Sequence, residues 1–327
     1  MSTPIWGTNT LTSLSNRWIM PFITDVVFTS SPLTFRFKAR NKLVIKGGLW
    51  IEVPWMYAKP NSGGWYSGPE ILQTIPFDVV QDGSLPWAQL YDNVTVDGLT
   101  LNQAESEEKA MDYLTAQFEM SKLNWLDNLA GGFWSDGTNT KSMVGLLAAV
   151  DNGTVAPTYA GITRSSNTWL NSQEDSSTTT MSLNALNNLF GSCTTGGRAP
   201  TLIIGTRANY IRYQNLNVTI QQFPTAPGMR DQQFAAAGFD HLVFNNVPWL
   251  VDDHVTSASG NSSGTEGELF FLNEEYFKFI VGKGGNFVIE DFVKPPNQDA
   301  MTAIMKLYCQ LVCTNPQRNG KFTALTA

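Results

Sequence analysis

The stretch 102–132, NQAESEEKAMDYLTAQFEMSKLNWLDNLAGG, decides the architecture. Asn102 stands where a helix needs an N-cap, and Glu105 follows in the capping-box position. Glu105, Glu107 and Glu108 fall in the first turns, where the helix dipole favours acidic side chains. Met111, Leu114, Phe118, Trp125 and Leu129 recur at steps of three, four, seven and four, which puts them on one helical face. Gly131-Gly132 is a natural stop. The pattern predicts a helix over 102–129, a rod of roughly 40 Å at about 1.5 Å per residue. Such a rod is long for a compact enzyme domain and suits a structural spine.

Upstream, residues 47–100 are broken by Gly47-Gly48, Pro54, Pro60, Gly63-Gly64, Gly68-Pro69, Pro76, Gly83, Pro86 and Gly98. Short β-like pieces lie between them at 49–53, 75–80 and 93–97, so the segment reads as a long β-excursion such as a projecting hairpin. Trp50, Trp55, Trp65, Tyr66 and Trp87 decorate it. A thin two-stranded projection has no interior of its own, so these rings need a neighbour. Residues 1–34 resemble an extended arm, with isolated Trp6, Trp18 and Phe22 and no sustained period. Residues 35–46 alternate well enough for a strand.

Downstream the elements alternate. Helices are expected at 141–150, from 182 to 189, and at 207–215. Strands are expected at 201–204, 242–244, 269–272, 277–281 and 287–289. The apolar run 301–312 is ambiguous between strand and helix. No internal repeat is present. The reading is a mixed α+β chain.

Only 15% of the 327 residues are charged, while Trp, Phe and Tyr are abundant, which excludes a disordered chain and suggests surface covered by something other than water. The net charge of −7 gives no global basic field for nucleic acid. Residues 1–60 carry +5 and residues 61–136 carry −10, a separation that would let front and middle attract within a chain or between copies. No run is apolar enough to cross a membrane, and the first residues lack a basic segment followed by an apolar core, so neither membrane insertion nor secretion is expected. Three cysteines fit a reducing compartment better than a disulfide framework.

Candidate chemistry is thin. Asp252-Asp253-His254 has the residue types of a metal site, but neighbouring side chains diverge and no second motif has ligand spacing; a polar turn explains it better. Cys309 and Cys313 share a face and read as inert buried thiols, whereas Cys193 sits near Gly196-Gly197 and is expected to be partly exposed. Gly282-Lys-Gly-Gly285 lacks the spacing of a phosphate loop and reads as a hairpin turn. Glu274-Glu275 reads as a solvated strand end. No catalytic residue, cofactor or metal site is assigned. Aromatics suited to binding, a rod, a projecting loop and a loose arm describe an assembly subunit rather than an enzyme.

The order of segments from Gly145 onward resembles the major capsid protein of tailed bacteriophages, the Hong Kong 97-type fold. The resemblance rests on Gly145–Thr154 followed by Tyr159–Ser165 and Trp169, then Leu183–Phe190 and Pro200–Thr206 with Tyr210 and Tyr213. Phe244–Asp253, Leu269–Tyr276 and Gln298–Leu311 continue it. No single motif is diagnostic; the ordered set is. The resemblance implies an N-terminal arm (1–46), an extended loop (47–100), a peripheral domain with the spine helix (101–180), an axial domain (181–299) and a return to the peripheral domain (300–327).

What the resemblance implies is an icosahedral or prolate shell around double-stranded DNA, built from pentamers and hexamers of this chain without a cofactor. Expected partners are a portal and, in some systems, scaffold or decoration proteins; DNA is enclosed without sequence-specific binding. The expected location is the virion capsid, after synthesis in the bacterial host cytoplasm. The lysine and asparagine that cross-link some relatives have no match here. A scaffolding segment of the kind some relatives carry has no room in this chain, so a separate scaffold or none is expected. The extended loop would bury Trp50, Trp55, Trp65, Tyr66 and Trp87 against one neighbour, and the arm would strap another with Trp6, Trp18 and Phe22. An encapsulin-like compartment shares the fold. A tail or receptor-binding protein would more naturally be a fibrous trimer with repeats, and a hydrolase using Asp252, Asp253 or His254 is the enzymatic outsider.

Overall fold

A computed structural model describes residues 32–40, 43–58, 64–72, 78–99, 107–176, 179–220, 241–255, 267–286, 288–323 and 325–326. The described residues open with helix α1 (Pro32–Ala39) and strand β1 (Leu43–Lys46), then β2 (Ile51–Met56), β3 (Val80–Leu85) and β4 (Ala88–Asp97). The long helix α2 (Glu107–Phe133) and the single turn α3 (Leu146–Ala149) follow. Short strands β5 (Thr158–Tyr159), β6 (Ile162–Thr163), β7 (Gln173–Asp175) and β8 (Thr179–Thr180) lead to helix α4 (Leu183–Cys193), strand β9 (Leu202–Gly205) and helix α5 (Arg207–Ile220). The described strands that follow are β10 (His241–Phe244), β11 (Val247–Val251), β12 (Leu269–Leu272), β13 (Phe277–Gly282), β14 (Val288–Ile289), β15 (Ala300–Cys313), β16 (Gly320–Phe322) and β17 (Leu325–Thr326), with short 3-10 turns at Glu274–Tyr276 and Pro316–Arg318.

The ambiguous run resolves as β15, the axis of a five-stranded sheet. Ala303, Met305, Leu307 and Cys309 are buried at period two while Thr302, Ile304, Lys306 and Tyr308 are half-buried. Apolar residues on both phases had hidden that alternation. One edge of β15 pairs with β4 over ten residues, from Ala300–Asp97 to Cys309–Ala88. The other edge takes β13 and then β14, and β1 runs parallel to β13 at the margin. The expected hairpin between 277–281 and 287–289 is therefore absent. Both strands pair with β15, and the glycine-rich turn loops out between them, with the Tyr308 amide donating to Gly285 O.

Helix α2 packs on β4 with Phe118, Trp125, Leu129 and Phe133 buried. The side chains of Met111 and Leu114 lie outside the described residues. The predicted stop at Gly131-Gly132 is passed by one residue. Phe133 is held by rings at 5.8 Å (Phe37) and 5.1 Å (Phe279). Burying a phenyl ring is worth about 2 kcal/mol, comparable to the cost of about 1 kcal/mol for each helical glycine.

The second sheet has six strands in the order β10-β11-β9-β12-β16-β7. Its central strands β11, β9 and β12 are apolar without alternation because both faces are covered. Phe270 and Leu272 face the core shared with α2, where Trp134 meets Phe270 at 5.1 Å; Leu269 and Phe271 face α4 and α5. On that side Tyr213 stacks on Trp249 at 4.5 Å and its hydroxyl donates to Val243 O. Ser182 caps α4 by accepting from the Ala185 amide.

Other expectations move. Residues 35–46 are not one strand: Pro32 at the first helical position starts α1, and Leu33 and Phe37, four apart, share its buried face. Residues 1–31 of the expected arm lie outside the described residues. The helix expected at 141–150 shrinks to α3. The hairpin of the projecting loop is β2 with β3, since β4 belongs to the body, and β13 and β14 join the sheet of β15 rather than that of β9.

Candidate assembly surfaces

The β2–β3 hairpin is anchored at one end and uncovered at the other. Along β2, Ile51, Val53 and Trp55 are buried while Glu52, Pro54 and Met56 are exposed. The Trp55 ring lies 6.1 Å from Tyr159 and 6.4 Å from Trp169, and Tyr57 lies 6.1 Å from Trp169. Across the hairpin, opposite Val53, Gly83 has no room for a side chain: a Cβ there would sit 2.3 Å from the Trp55 ring and 2.9 Å from Ala160 O. The neighbouring Ser84 amide donates to that carbonyl. Ala160 adopts φ 52°, the left-handed turn that aims its oxygen at the hairpin. Trp55, expected to be offered to a neighbour, is 4% exposed and belongs to the chain's own core. The physical reason is the period-two pattern Ile51-Val53-Trp55, which turns all three to the face that β5 and β6 cover.

Beyond this root the picture reverses. Trp65 is 105% exposed and Ile71 98%, with Tyr66 and Leu72 also uncovered. Trp50 is half-exposed, and Trp87 is partly covered, its Nε1 donating to Gly48 O at 2.9 Å. Trp6, Trp18 and Phe22 lie outside the described residues. The sequence reading passed over Leu49, Met56, Ile71 and Leu72, all exposed; the signal for them was aliphatic residues beside glycine and proline with no period to bury them.

Buried ions fix the body beneath. Arg36 Nε donates to Glu274 Oε1 at 2.6 Å and Arg40 approaches Oε2 at 3.5 Å, so Glu274 is a buried anchor and not a solvated strand end; only Glu275 is exposed. Lys321 Nζ meets Asp151 Oδ1 at 3.0 Å, and Arg164 reaches its Oδ2 at 3.2 Å, all three side chains fully buried. Amides of Gly153, Val155 and Ala156 also donate to Oδ2. Burial works against the ionised carboxylate, but Lys321 and these donors prevail and its pKa is lowered.

Asp252-Asp253-His254 forms a polar turn. His254 Nε2 lies 2.9 Å from Asp127 on α2, and Nδ1 lies 3.4 Å from Asp252. The Asp252 hydrogen bond, helped by Asp127 and opposed by burial, pushes the imidazole pKa up to about 9. The ring is a charged pin between α2 and the second sheet. Among the described residues no three His, Cys, Asp or Glu side chains gather as metal ligands. Cys193 is buried, contrary to expectation, as are Cys309 and Cys313; burial pushes each thiol up to about 12, which leaves no thiolate for nucleophilic work. No described helix is long and apolar enough to cross a membrane.

Solved structures share this arrangement along nearly its whole length. The cyanophage A-1(L) capsid subunit superposes with a TM-score of 0.62 at 12% identity, covering 88% of this chain and 91% of that one. The chain has the Hong Kong 97-type fold. The SrpI encapsulin of Synechococcus elongatus PCC 7942 gives 0.58 at 8% identity over 89% and 88% of the two chains. The capsid of a native GTA particle gives 0.57 at 9% over 87% and 88%. No family model and no curated protein matches the chain in sequence.

Proposed function

We propose that the chain is the major capsid protein of a tailed bacteriophage, building an icosahedral or prolate shell around double-stranded DNA by self-association. The observation that carries this reading is a shell fold whose anchored hairpin leaves Trp65, Tyr66, Ile71 and Leu72 uncovered. Such apolar surface is stable in water only when covered, and each fully buried ring or branched chain contributes about 2 kcal/mol. A different patch on the next copy must cover it, which makes the contact heterologous and able to close rings. Five-fold and six-fold rings would bring together the segments near 181–299, and the shell would recruit a portal and scaffold or decoration proteins. The chain works by association and not by catalysis. Its acidic balance suits a wall that encloses DNA without gripping it.

A second reading, an encapsulin-like compartment, is favoured by the similarity to the SrpI encapsulin complex. Electron microscopy of purified protein, with ultraviolet absorbance of particles from the native host, tests both. Closed shells rich in nucleic acid support the phage reading, shells with protein cargo support the compartment, and a monomer at high concentration overturns both. Removing residues 1–31 is expected to leave folded subunits that fail to form stable shells; normal particles from that deletion would remove the arm from this reading.

A further inference from the structure

Where the loop after α3 meets the paired strands β7 and β16, four ionisable side chains share one site closed off from solvent. Lys321 stands opposite Glu174 in the β16–β7 register. Its Nζ lies 3.0 Å from Asp151 Oδ1 and 3.9 Å from Glu174 Oε2. The side chains of Lys321, Asp151 and Arg164 are 0% exposed and that of Glu174 2%. The Asn152 amide donates to Glu174 Oε2 at 3.3 Å, which holds that carboxyl group beside the pair.

The two oxygens of Asp151 have different surroundings. Amides of Gly153, Val155 and Ala156 donate to Oδ2 at 2.8, 3.1 and 3.0 Å, and Arg164 Nη1 lies 3.2 Å from it. Arg164 is itself fixed, its Nη2 donating to Ala148 O at 2.7 Å. Such converging donors stabilise the negative charge that develops on a carboxyl oxygen under attack. Oδ1 instead faces the amine. Held this close, an amine and a carboxyl group react as if at very high concentration. Burial outweighs the pull of Lys321 and raises the pKa of Glu174, which suits that carboxyl group to carry protons. Two buried ions are costly, and a neutral amide in their place would remove both charges from the interior.

We propose that Lys321 and Asp151 condense into an amide bond within the folded chain, with Glu174 as the proton relay. The Nζ–Cγ bond forms and the Cγ–Oδ1 bond breaks. Two protons of the ammonium group leave with Oδ1 as water, one stays on the amide nitrogen, and Glu174 ends as it began. Nothing is oxidised or reduced. The bond closes within one copy, joining the loop after α3 to β16 across 170 positions, and does not depend on the shell reading.

Intact mass and peptide mapping of the full chain, folded, purified and then denatured, test this. The chain is expected to weigh one water less than its sequence, and digestion to yield one branched peptide joining the fragments that contain Asp151 and Lys321. Lys321→Arg keeps the charge but offers a guanidinium that stays protonated and cannot attack, so it is expected to show the full mass. Glu174→Gln, close to it in shape, is expected to show the full mass as well. Should either variant fail to fold, the map of the unaltered chain still decides. Full sequence mass in the unaltered chain after prolonged incubation, with Asp151 and Lys321 in separate linear peptides, overturns the bond. So does a loss of water mapped to any other position. A branched peptide that persists in Glu174→Gln overturns the relay.

Discussion

Trp55 and Trp65 are ten positions apart on one excursion and have opposite fates. Trp55 is enclosed by Tyr159, Trp169 and the bare backbone of Gly83, whereas Trp65 touches almost nothing in its own chain. The difference separates two duties within one hairpin. The root is core and fixes the direction of the projection; the tip is exposed surface, which the proposed shell would cover with a sister copy. A hairpin without a buried root would swing and lose much of its binding free energy to ordering, so in the proposed shell the anchoring of Trp55 would let the uncovered tip act as a preformed contact.

The strongest way to break this comparison is at the root. Trp55→Ala is expected to destabilise unassembled subunits by about 4 kcal/mol, as large-to-small core changes do, measured by denaturant unfolding. A loss below about 1 kcal/mol would mean that the root is not core. The buried ion pair behind the first sheet should come next. Glu274→Gln leaves Arg36 buried beside a neutral partner, with an expected cost of about 3 kcal/mol in the same assay. A neutral outcome would show that α1 is held by Leu33 and Phe37 alone.

The sequence made some of this legible. The spine was readable because a long, strongly periodic amphipathic segment admits few alternatives, and the four apolar residues of β12 could only be a strand buried on both faces. The fate of Trp55 was also written there, in the alternation Ile51-Val53-Trp55, but Pro54 made the strand look finished at Val53. Proline fits in a two-stranded edge when its missing amide points to solvent. Other features had no local signal. Lys321 and Asp151 meet across 170 positions, Arg36 and Glu274 across 238, and Asp127 and His254 across 127. Each partner alone looks like an ordinary surface charge. Cys193 was misplaced because a nearby Gly-Gly suggested exposure, although Leu189 and Cys193 lie four apart on the buried face of α4.

A smaller effect separates the charged pin from these anchors. The folded pKa of His254, about 9, lies above its ordinary value of 6.5, so protonation favours the folded state. The stabilisation is complete below about pH 6.5 and is lost as pH rises towards 9. With the ring a third exposed and Asp127 largely in solvent, screening reduces the contribution to about 1 kcal/mol. The melting temperature of unassembled subunits should fall by about 2 °C across that window beyond any general drift. His254→Gln should flatten this part of the profile; an unchanged slope would assign the pH dependence to other groups.

The smallest expected change in subunit stability belongs to the tip. Trp65→Ala should alter the unfolding free energy of unassembled subunits by less than about 0.5 kcal/mol, because an exposed side chain with no contacts has little to lose. The same substitution should still weaken assembly, seen as a higher protein concentration at which particles first scatter light. Trp55→Ala would lower both stability and assembly, so only the pair of variants separates the two duties. A drop in subunit stability with Trp65→Ala comparable to that of Trp55→Ala would place the tip ring in the chain's own core. Unchanged assembly would instead leave Trp65 as a solvated ring and transfer the contact to Ile71 and Leu72.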